Sequence, residues 1–121
     1  MKNGKKILVV DDERGIRLLL SEVLLSEGFE VRSAKDGQES LEVLQEEHFD
    51  LVITDINMPR LDGMGMLERM QKGGRKEKVI VMTGNPSAPN LSNDHLPNVV
   101  MSIIKPFEMA QLVDMVTEAT A

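Results

Sequence analysis

The chain has 121 residues, which suits one domain with a single hydrophobic core, and its 41% hydrophobic and 28% charged residues are typical of a globular fold. The formal net charge of −6 opposes polyanions, so direct binding of nucleic acid is not expected. The absence of cysteine excludes disulfides, thiolate metal sites and a cysteine nucleophile, and it fits a reducing compartment.

Five short apolar runs rich in β-branched residues recur along the chain, and each predicts a β-strand. They are Ile7–Val10, Phe29–Ala34, Leu51–Thr54, Val79–Thr83 and Val99–Ile104. The first run is too short for a signal peptide or a membrane-spanning helix. We therefore expect a cytoplasmic protein that does not contact membranes.

Segments with helical periodicity separate most of these strands. The first predicted helix carries its apolar residues on one face, and these are Ile16, Leu19, Leu20, Val23 and Leu24. Gly28 is a typical helix stop and ends it. The second helix begins at Asp36, because Glu39 three residues later completes a capping pattern, and it continues to about Glu47.

Two further helices are predicted in the second half of the chain. One begins after Gly63 and breaks at Gly73, and the last runs from about Glu108 through Val116. Between them, the segment from Gly84 to Asn98 is rich in proline, asparagine and serine, a composition of turns. A helix in that segment is expected to be short or irregular.

The alternation of strands and helices favours right-handed crossovers into a parallel sheet. Nearly continuous apolar runs such as Leu51–Ile53 suit strands that are covered on both faces. We therefore predict an α/β fold in which a five-stranded parallel sheet is doubly wound, with helices on both faces.

Chemically active side chains follow the predicted strands. They are Asp11, Asp12 and Glu13 after the first strand, Asp55 after the third, Thr83 at the end of the fourth, and Lys105 with Pro106 after the fifth. Ligands of open parallel sheets bind at the carboxyl ends of the strands. The sequence therefore gathers carboxylates, a hydroxyl and an ammonium group at one edge.

The three aspartates at this edge would repel one another. At roughly 5 Å and an effective dielectric near 20, each pair of unit charges costs about 3 kcal/mol, so three pairs cost on the order of 10 kcal/mol. Lys105 supplies one compensating charge, and a hard divalent cation would supply the rest. Mg²⁺ suits the site best, since it accepts few protein ligands and shares its coordination with phosphate oxygens.

A carboxylate beside Mg²⁺, a lysine and a hydroxyl is a set of groups suited to phosphoryl transfer. Asp55 would attack phosphorus in line and form an acyl phosphate. Lys105 would share the charge of the transferred oxygens, and Thr83 would donate a hydrogen bond to one of them.

Five blocks of sequence resemble the signature blocks of response-regulator receiver domains. They are Ile7–Glu13, Asp55–Pro59, Asp62–Gly63, Val81–Gly84 and Lys105–Phe107. The likeness spans almost the whole chain, so it implies that residues 1–121 form one receiver domain with the flavodoxin-like strand order 2-1-3-4-5. It also implies a phosphoacceptor of two-component signalling, and not an enzyme that turns over a substrate.

The resemblance implies a role for each site residue. Asp55 would be the phosphoacceptor, Asp12 a direct Mg²⁺ ligand, Asp11 an outer carboxylate acting largely through water, and Asn57 a ligand through its backbone carbonyl. Thr83 and Lys105 would be switch residues, with a cis peptide after Lys105. The phosphoryl donor would be a histidine kinase or a histidine phosphotransfer protein, and an output domain or protein that the sequence does not identify would respond.

Two features depart from the family pattern. The segment from Gly84 to Asn98 occupies the place of the usual fourth helix, and Ser102 stands three residues before Lys105, where receivers usually carry an aromatic switch residue. A small hydroxyl cannot signal phosphorylation by swinging a ring inward. Reordering of the segment from Gly84 to Asn98 through Thr83 is the alternative that we expect.

Three other functions compete with a signalling phosphoacceptor. Enzymes of the haloacid-dehalogenase type use a similar nucleophile, but they resemble one another in a second aspartate two residues later, where this chain has Asn57. A flavodoxin-like flavin binder needs hydroxyls and amides in its phosphate cradle, whereas the loop after the first strand is acidic. A degenerate receiver that serves only as an interaction module stays open, because Ser102 replaces the aromatic residue.

Overall fold

The computed structural model of the chain describes residues 4–56, 63–84 and 98–121, with no side-chain description at residues 63 and 64. Within these ranges, strands and helices alternate over most of the sequence. In chain order the elements are β1 (Lys6–Val10), α1 (Arg14–Ser26), β2 (Glu30–Ala34), α2 (Gly37–Glu46), β3 (Leu51–Asp55), α3 (Gly63–Lys72), β4 (Lys78–Thr83), β5 (Val99–Ile104) and α4 (Met109–Thr120).

The five strands form one parallel sheet in the order β2-β1-β3-β4-β5, which confirms the predicted architecture and strand order. In its register, Val10 of β1 lies beside Thr54 of β3, so the residues that follow them, Asp11 and Asp55, are neighbours at the carboxyl edge. On the far side, Thr83 of β4 pairs with Ile104 of β5, which brings Lys105 to the same edge.

Side chains of each central strand alternate between two buried cores, one on each face of the sheet. On β1, Leu8 and Val10 pack with residues of α2 and α3, whereas Ile7 and Val9 pack with residues of α1 and α4. All five residues of β3 are buried, because helices cover this strand on both faces.

Helix boundaries follow local signals in the sequence. Gly28 ends the turn after α1 with φ of 95°, a conformation that glycine adopts without a steric penalty. At α2, Asp36 Oδ1 accepts a hydrogen bond from Glu39 N at 2.8 Å, and Glu39 Oε1 accepts one from Lys35 N at 2.9 Å. The predicted capping pattern therefore forms, with the reciprocal bond made one residue earlier than in the usual motif.

One apolar residue of the first helix lies outside the buried face of that helix. Leu20 and Leu24 are fully buried on α1, but Leu19 is 43% exposed. The helix therefore turns a narrower face to the sheet than the apolar pattern indicates, and Leu19 lies outside that face. The predicted irregular fourth helix falls on residues 85–97, outside the described ranges.

The amino-terminal edge of the sheet is held by a buried carboxylate. Glu77, with a side chain only 3% exposed, accepts hydrogen bonds from both Nε and Nη2 of Arg75 and from Phe49 N at 3.3 Å. Arg75 Nη2 also donates to the carbonyl of Glu47 at 3.1 Å, and Asn98 Nδ2 donates to the carbonyl of Arg75 at 2.8 Å. These bonds connect the segments that precede β3, β4 and β5.

Across the described ranges, no helix combines the length and apolar character needed to cross a membrane.

Candidate functional site

Three carboxylates converge at the carboxyl edge of the sheet. Asp11 and Asp12 follow β1 and Asp55 ends β3, and one oxygen from each lies within 4.8 Å of the others. Asp11 and Asp55 are buried, whereas Asp12 is exposed. The cluster therefore has two fixed, buried carboxylates and one that faces solvent.

Asp11 is bonded through its backbone and through both carboxylate oxygens. Its Oδ1 accepts from Glu13 N at 2.9 Å and its Oδ2 from Lys105 Nζ at 2.9 Å. Its N–H donates to the carbonyl of Ala34 at 3.2 Å, and its carbonyl accepts from Arg17 Nη1 at 2.8 Å. The residue is fully buried, so these bonds compensate for the loss of water.

Lys105 joins the two buried carboxylates. Its Nζ donates to Asp11 Oδ2 at 2.9 Å and to Asp55 Oδ2 at 3.1 Å. Burial is the largest single influence on its pKa and lowers it, but the hydrogen bonds and charges of the two aspartates together outweigh burial and raise the pKa. Lys105 is therefore an ammonium ion that shares its charge between the carboxylates.

Thr83 ends β4 at the same edge. It is buried, and its carbonyl accepts a hydrogen bond from Lys105 N at 2.7 Å, so β4 and the residue after β5 are directly joined. On the other side of β4, Met82 pairs with Asp55. Thr83 thus ends β4, which lies between β3, the strand of Asp55, and β5, the strand that precedes Lys105. The role of the Thr83 hydroxyl stays a prediction.

The remaining family-implied features are only partly described. The peptide bond between Lys105 and Pro106 is cis, as the resemblance implies. Ser102 lies exposed on β5 and pairs with Val81. Asn57, the predicted backbone ligand of the metal, lies outside the described residues.

The sequence analysis did not single out Arg17, although it contacts the acidic loop through the carbonyl of Asp11. A signal for it does exist in the sequence. Arg14 and Arg17 lie in the first four residues of α1, where the helix dipole disfavours cations, and the first turn contains no acidic residue. Cations at that end of a helix call for a nearby anionic partner.

The donor set fits a hard divalent cation. It consists of carboxylate oxygens, the ligands that Mg²⁺ prefers, and the exposed position of Asp12 leaves the cluster open on one side. The charge of Lys105 compensates for only part of the negative charge of the cluster, because a single ammonium group lies beside three carboxylates.

Comparison with known proteins decides the family. The family model for the response regulator receiver domain matches residues 7–117. The chain belongs to the response regulator receiver domain family. This assignment favours the receiver over the haloacid-dehalogenase and flavodoxin alternatives, and the family is one of phosphoacceptor signalling modules.

The match to this chain covers different fractions of the length of its curated relatives. Sporulation initiation phosphotransferase F of Bacillus subtilis is 34% identical over 113 residues, which are 93% of this chain and 91% of that protein. Transcriptional regulatory protein GlrR of Escherichia coli K12 is 35% identical over 113 residues, or 93% of this chain, but the match spans only 26% of that protein. The receiver domain therefore resembles both a nearly complete short protein and one part of a longer regulator.

Solved structures share the whole receiver fold. The response regulator TrrA of Thermotoga maritima, solved in complex with Mg²⁺ and BeF, has a TM-score of 0.83 and 34% identity, with 95% of this chain and 98% of TrrA covered. The chemotaxis response regulator CheY4 of Vibrio cholerae has a TM-score of 0.82 and 29% identity, with 97% and 99% covered. The flavodoxin-like architecture is thus that of response regulators from several bacteria.

Proposed function

We propose that Asp55 accepts a phosphoryl group from a phosphorylated histidine and that the modification switches binding to an output partner. The observation that carries this proposal is the convergence of Asp11, Asp12 and Asp55 within 4.8 Å, beside an ammonium group that contacts two of them. Asp55 ends the central strand β3, and its side chain is 10% exposed. Its carboxylate thus lies at the carboxyl edge of the sheet with a small part exposed to solvent.

Mg²⁺ would be held by the carboxylates of Asp12 and Asp55 and by the backbone carbonyl of Asn57, with Asp11 as an outer carboxylate that acts largely through water. The carboxylate donor set supports this assignment, as does the complex of the similar TrrA with Mg²⁺ and BeF. When bound, Mg²⁺ supplies positive charge next to the phosphoryl oxygens and so favours in-line displacement. Asp12, the exposed ligand, would contact the ion from the solvent side.

In the transfer step, a carboxylate oxygen of Asp55 bonds to phosphorus while the bond from phosphorus to the imidazole nitrogen of the donor breaks. The bonding electron pair stays on that nitrogen, and the product on Asp55 is an acyl phosphate. The Lys105 ammonium, already 3.1 Å from Asp55, would bind the transferred oxygens, and the Thr83 hydroxyl would donate to one of them. Slow attack of water on phosphorus would restore the carboxylate and release inorganic phosphate.

The proposed donor is a histidine kinase or a histidine phosphotransfer protein in the cytoplasm, and residues 1–121 act as one receiver domain. Curated relatives support this setting, since they include a sporulation phosphotransferase and a sensor histidine kinase, RcsC of Escherichia coli K12. The net charge of −6 argues against nucleic acid as a direct partner of this domain. The output partner is a domain or protein that these residues do not specify.

The test is phosphate incorporation measured by intact-protein mass spectrometry. Wild-type protein with MgCl₂ and acetyl phosphate should gain one phosphoryl group, and chelation of Mg²⁺ should prevent the gain. Asp55→Asn should not gain it, whereas Asp50→Asn, which changes an exposed aspartate just before the same strand, should react like the wild type. Equal labelling of Asp55→Asn would refute the assignment of the phosphoacceptor.

A receiver that acts without phosphorylation is the second candidate, since Ser102 replaces the expected aromatic residue. The same experiment separates the two functions. A folded wild-type protein that binds Mg²⁺ but gains no phosphoryl group from acetyl phosphate or from phosphorylated histidine kinases would favour the unphosphorylated interaction module.

A further inference from the structure

Arg17 makes an unusual contact for a cation beside an acidic cluster. Its guanidinium donates to the neutral carbonyl oxygen of Asp11 at 2.8 Å. Within the described residues it forms no ion pair with the carboxylates of Asp11, Asp12 or Asp55, in contrast to Lys105, whose Nζ contacts two of them. Arg17 therefore contacts the loop through a backbone carbonyl and not through a carboxylate oxygen of the cluster.

The position of Arg17 in the helix is unfavourable by local rules. It is the fourth residue of α1, near the positive end of the helix dipole, and the acidic residues that could offset its charge lie before the helix, at Asp11, Asp12 and Glu13. Side chains of a helix lean toward its N-terminus, so a long side chain at this position can reach back over the preceding loop. A residue that breaks a local rule and still makes a defined contact indicates a functional constraint.

The contacted carbonyl belongs to the peptide unit that joins Asp11 to Asp12. The other polar groups of Asp11 are already bonded to Ala34, Glu13 and Lys105, so the carbonyl is the remaining point at which this peptide can be fixed. Holding a peptide plane sets the direction of the next residue, because only φ and ψ stay free. That next residue is Asp12, the exposed member of the cluster.

We propose that Arg17 is a positioning residue of the metal site, which fixes the Asp11–Asp12 peptide and so aims the Asp12 carboxylate at the cation. The inference rests on the proposed function, since it assumes that the carboxylate cluster binds Mg²⁺. Partners that orient metal ligands commonly contribute ten- to a hundredfold to metal affinity. Arg17 would raise the metal affinity in this way without binding the metal itself.

The two possible roles of Arg17, positioning Asp12 or contributing only positive charge, predict opposite changes in Mg²⁺ affinity when Arg17 is removed. If Arg17 acts only through its positive charge, its removal lessens repulsion of a cation, and Mg²⁺ binds more tightly. If Arg17 acts by positioning Asp12, its removal loosens the loop and Mg²⁺ binds more weakly despite the lost repulsion. The sign of the change in Mg²⁺ affinity therefore distinguishes the two roles.

The experiment measures the Mg²⁺ dissociation constant by isothermal titration calorimetry with MgCl₂, in wild type and in Arg17→Met, Arg17→Gln and Arg17→Lys. We expect about tenfold weaker binding for Arg17→Met and Arg17→Gln, and partial recovery for Arg17→Lys, which keeps the positive charge and N–H donors but not the planar guanidinium. Arg14→Met, an exposed arginine on the same helix turn, is the matched control and should bind as tightly as wild type or slightly more tightly.

Amide exchange in metal-free protein gives a second measurement. The Glu13 N–H bonds to Asp11 Oδ1, so it should exchange faster in Arg17→Gln if the loop loosens, while amides within β3 keep their protection. Folding of each variant is checked by its far-UV circular dichroism and urea midpoint. If Arg17→Met does not fold, Arg17→Gln carries the test.

The outcomes separate this inference from the proposed function. Unchanged or tighter Mg²⁺ binding in both neutral variants, with wild-type binding intact, overturns the positioning role alone. A wild-type protein that binds no Mg²⁺ at millimolar concentration overturns the metal site and this inference with it. Weaker binding in the neutral variants, together with an unaffected Arg14→Met, supports the proposal.

Discussion

The ammonium nitrogen of Lys105 lies 3.1 Å from Oδ2 of Asp55, the carboxylate that we propose as the phosphoacceptor. The same nitrogen contacts Asp11 Oδ2 at 2.9 Å. Lys105 therefore neutralises part of the charge of the site in the absence of metal, and it occupies oxygens that a metal or a phosphoryl group would approach. These two effects have opposite consequences for stability and for metal binding.

Lys105→Met should destabilise the metal-free domain and strengthen its binding of Mg²⁺. Two buried carboxylates would lose their shared counter-charge, so we expect the free energy of unfolding to fall by about 1–3 kcal/mol in EDTA. Saturating Mg²⁺ should restore part of the loss, because the metal replaces the missing charge. Urea unfolding followed by circular dichroism checks this, with the exposed Lys35→Met as control. An equal loss with and without Mg²⁺ would contradict it.

Asp12→Asn should have the reverse effect on stability. The Asp12 carboxylate lies within 4.8 Å of two like charges and is itself exposed, so neutralising it should raise the free energy of unfolding by about 1 kcal/mol in metal-free buffer. Binding of Mg²⁺ should fall strongly in the same variant. Urea unfolding in EDTA and calorimetry with MgCl₂ give the two measurements. Glu22→Gln, an exposed change on α1, should alter neither.

Much of this fold follows from the sequence because burial on both faces leaves a clear pattern. The run Leu51–Thr54 predicted β3 to within one residue, since every side chain of that strand must be apolar or bonded internally. The residues at the carboxyl edge of the sheet could be predicted because they end or directly follow the predicted strands. The exposure of Leu19 does not follow from the sequence, because an apolar side chain on α1 is compatible with either burial or exposure, and only the packing of the helix decides between them.

For two arginines, the contact partner could not be predicted from residue types. Arg17 bonds to a backbone carbonyl, a group that every residue carries, so no side-chain pattern names its partner. Arg75 and Glu77 belong to a run of charges, Arg75–Lys78, that is typical of a solvated loop, yet Glu77 is buried and pairs with the half-buried Arg75. In both cases the three-dimensional path of the chain determines the contact.

The pKa of Glu47 is lowered, and this predicts a specific pH dependence. The hydrogen bond from Lys6 is the largest cause, burial opposes it, and Arg32 adds to the lowering. A carboxyl group with a depressed folded-state pKa stabilises the fold at pH values above its unfolded pKa, and it loses that contribution as the pH falls through the lower folded value. Wild type should therefore be more stable than Glu47→Gln at neutral pH, with the difference vanishing in acid. Urea midpoints measured across the acidic range check this, and a difference that persists at the lowest pH would argue against the ion pairs.

Glu77→Gln should destabilise the domain without affecting the metal site. Glu77 is 3% exposed and accepts from Arg75 and from Phe49 N, so its neutralisation leaves a half-buried guanidinium without its counter-charge. We expect a loss of about 2–3 kcal/mol in the free energy of unfolding, somewhat less than for a fully buried pair because the Arg75 side chain is 21% exposed. Since the pair lies at the amino-terminal edge and the carboxylate cluster at the carboxyl edge, Mg²⁺ affinity of the folded variant should equal that of wild type.

Urea unfolding gives the free energy of unfolding of Glu77→Gln, and calorimetry gives its Mg²⁺ affinity, with the exposed Glu42→Gln as the matched control. A Glu77→Gln protein that is as stable as wild type would show that Arg75 finds another acceptor, and a change in Mg²⁺ affinity would show that the two edges of the sheet are coupled.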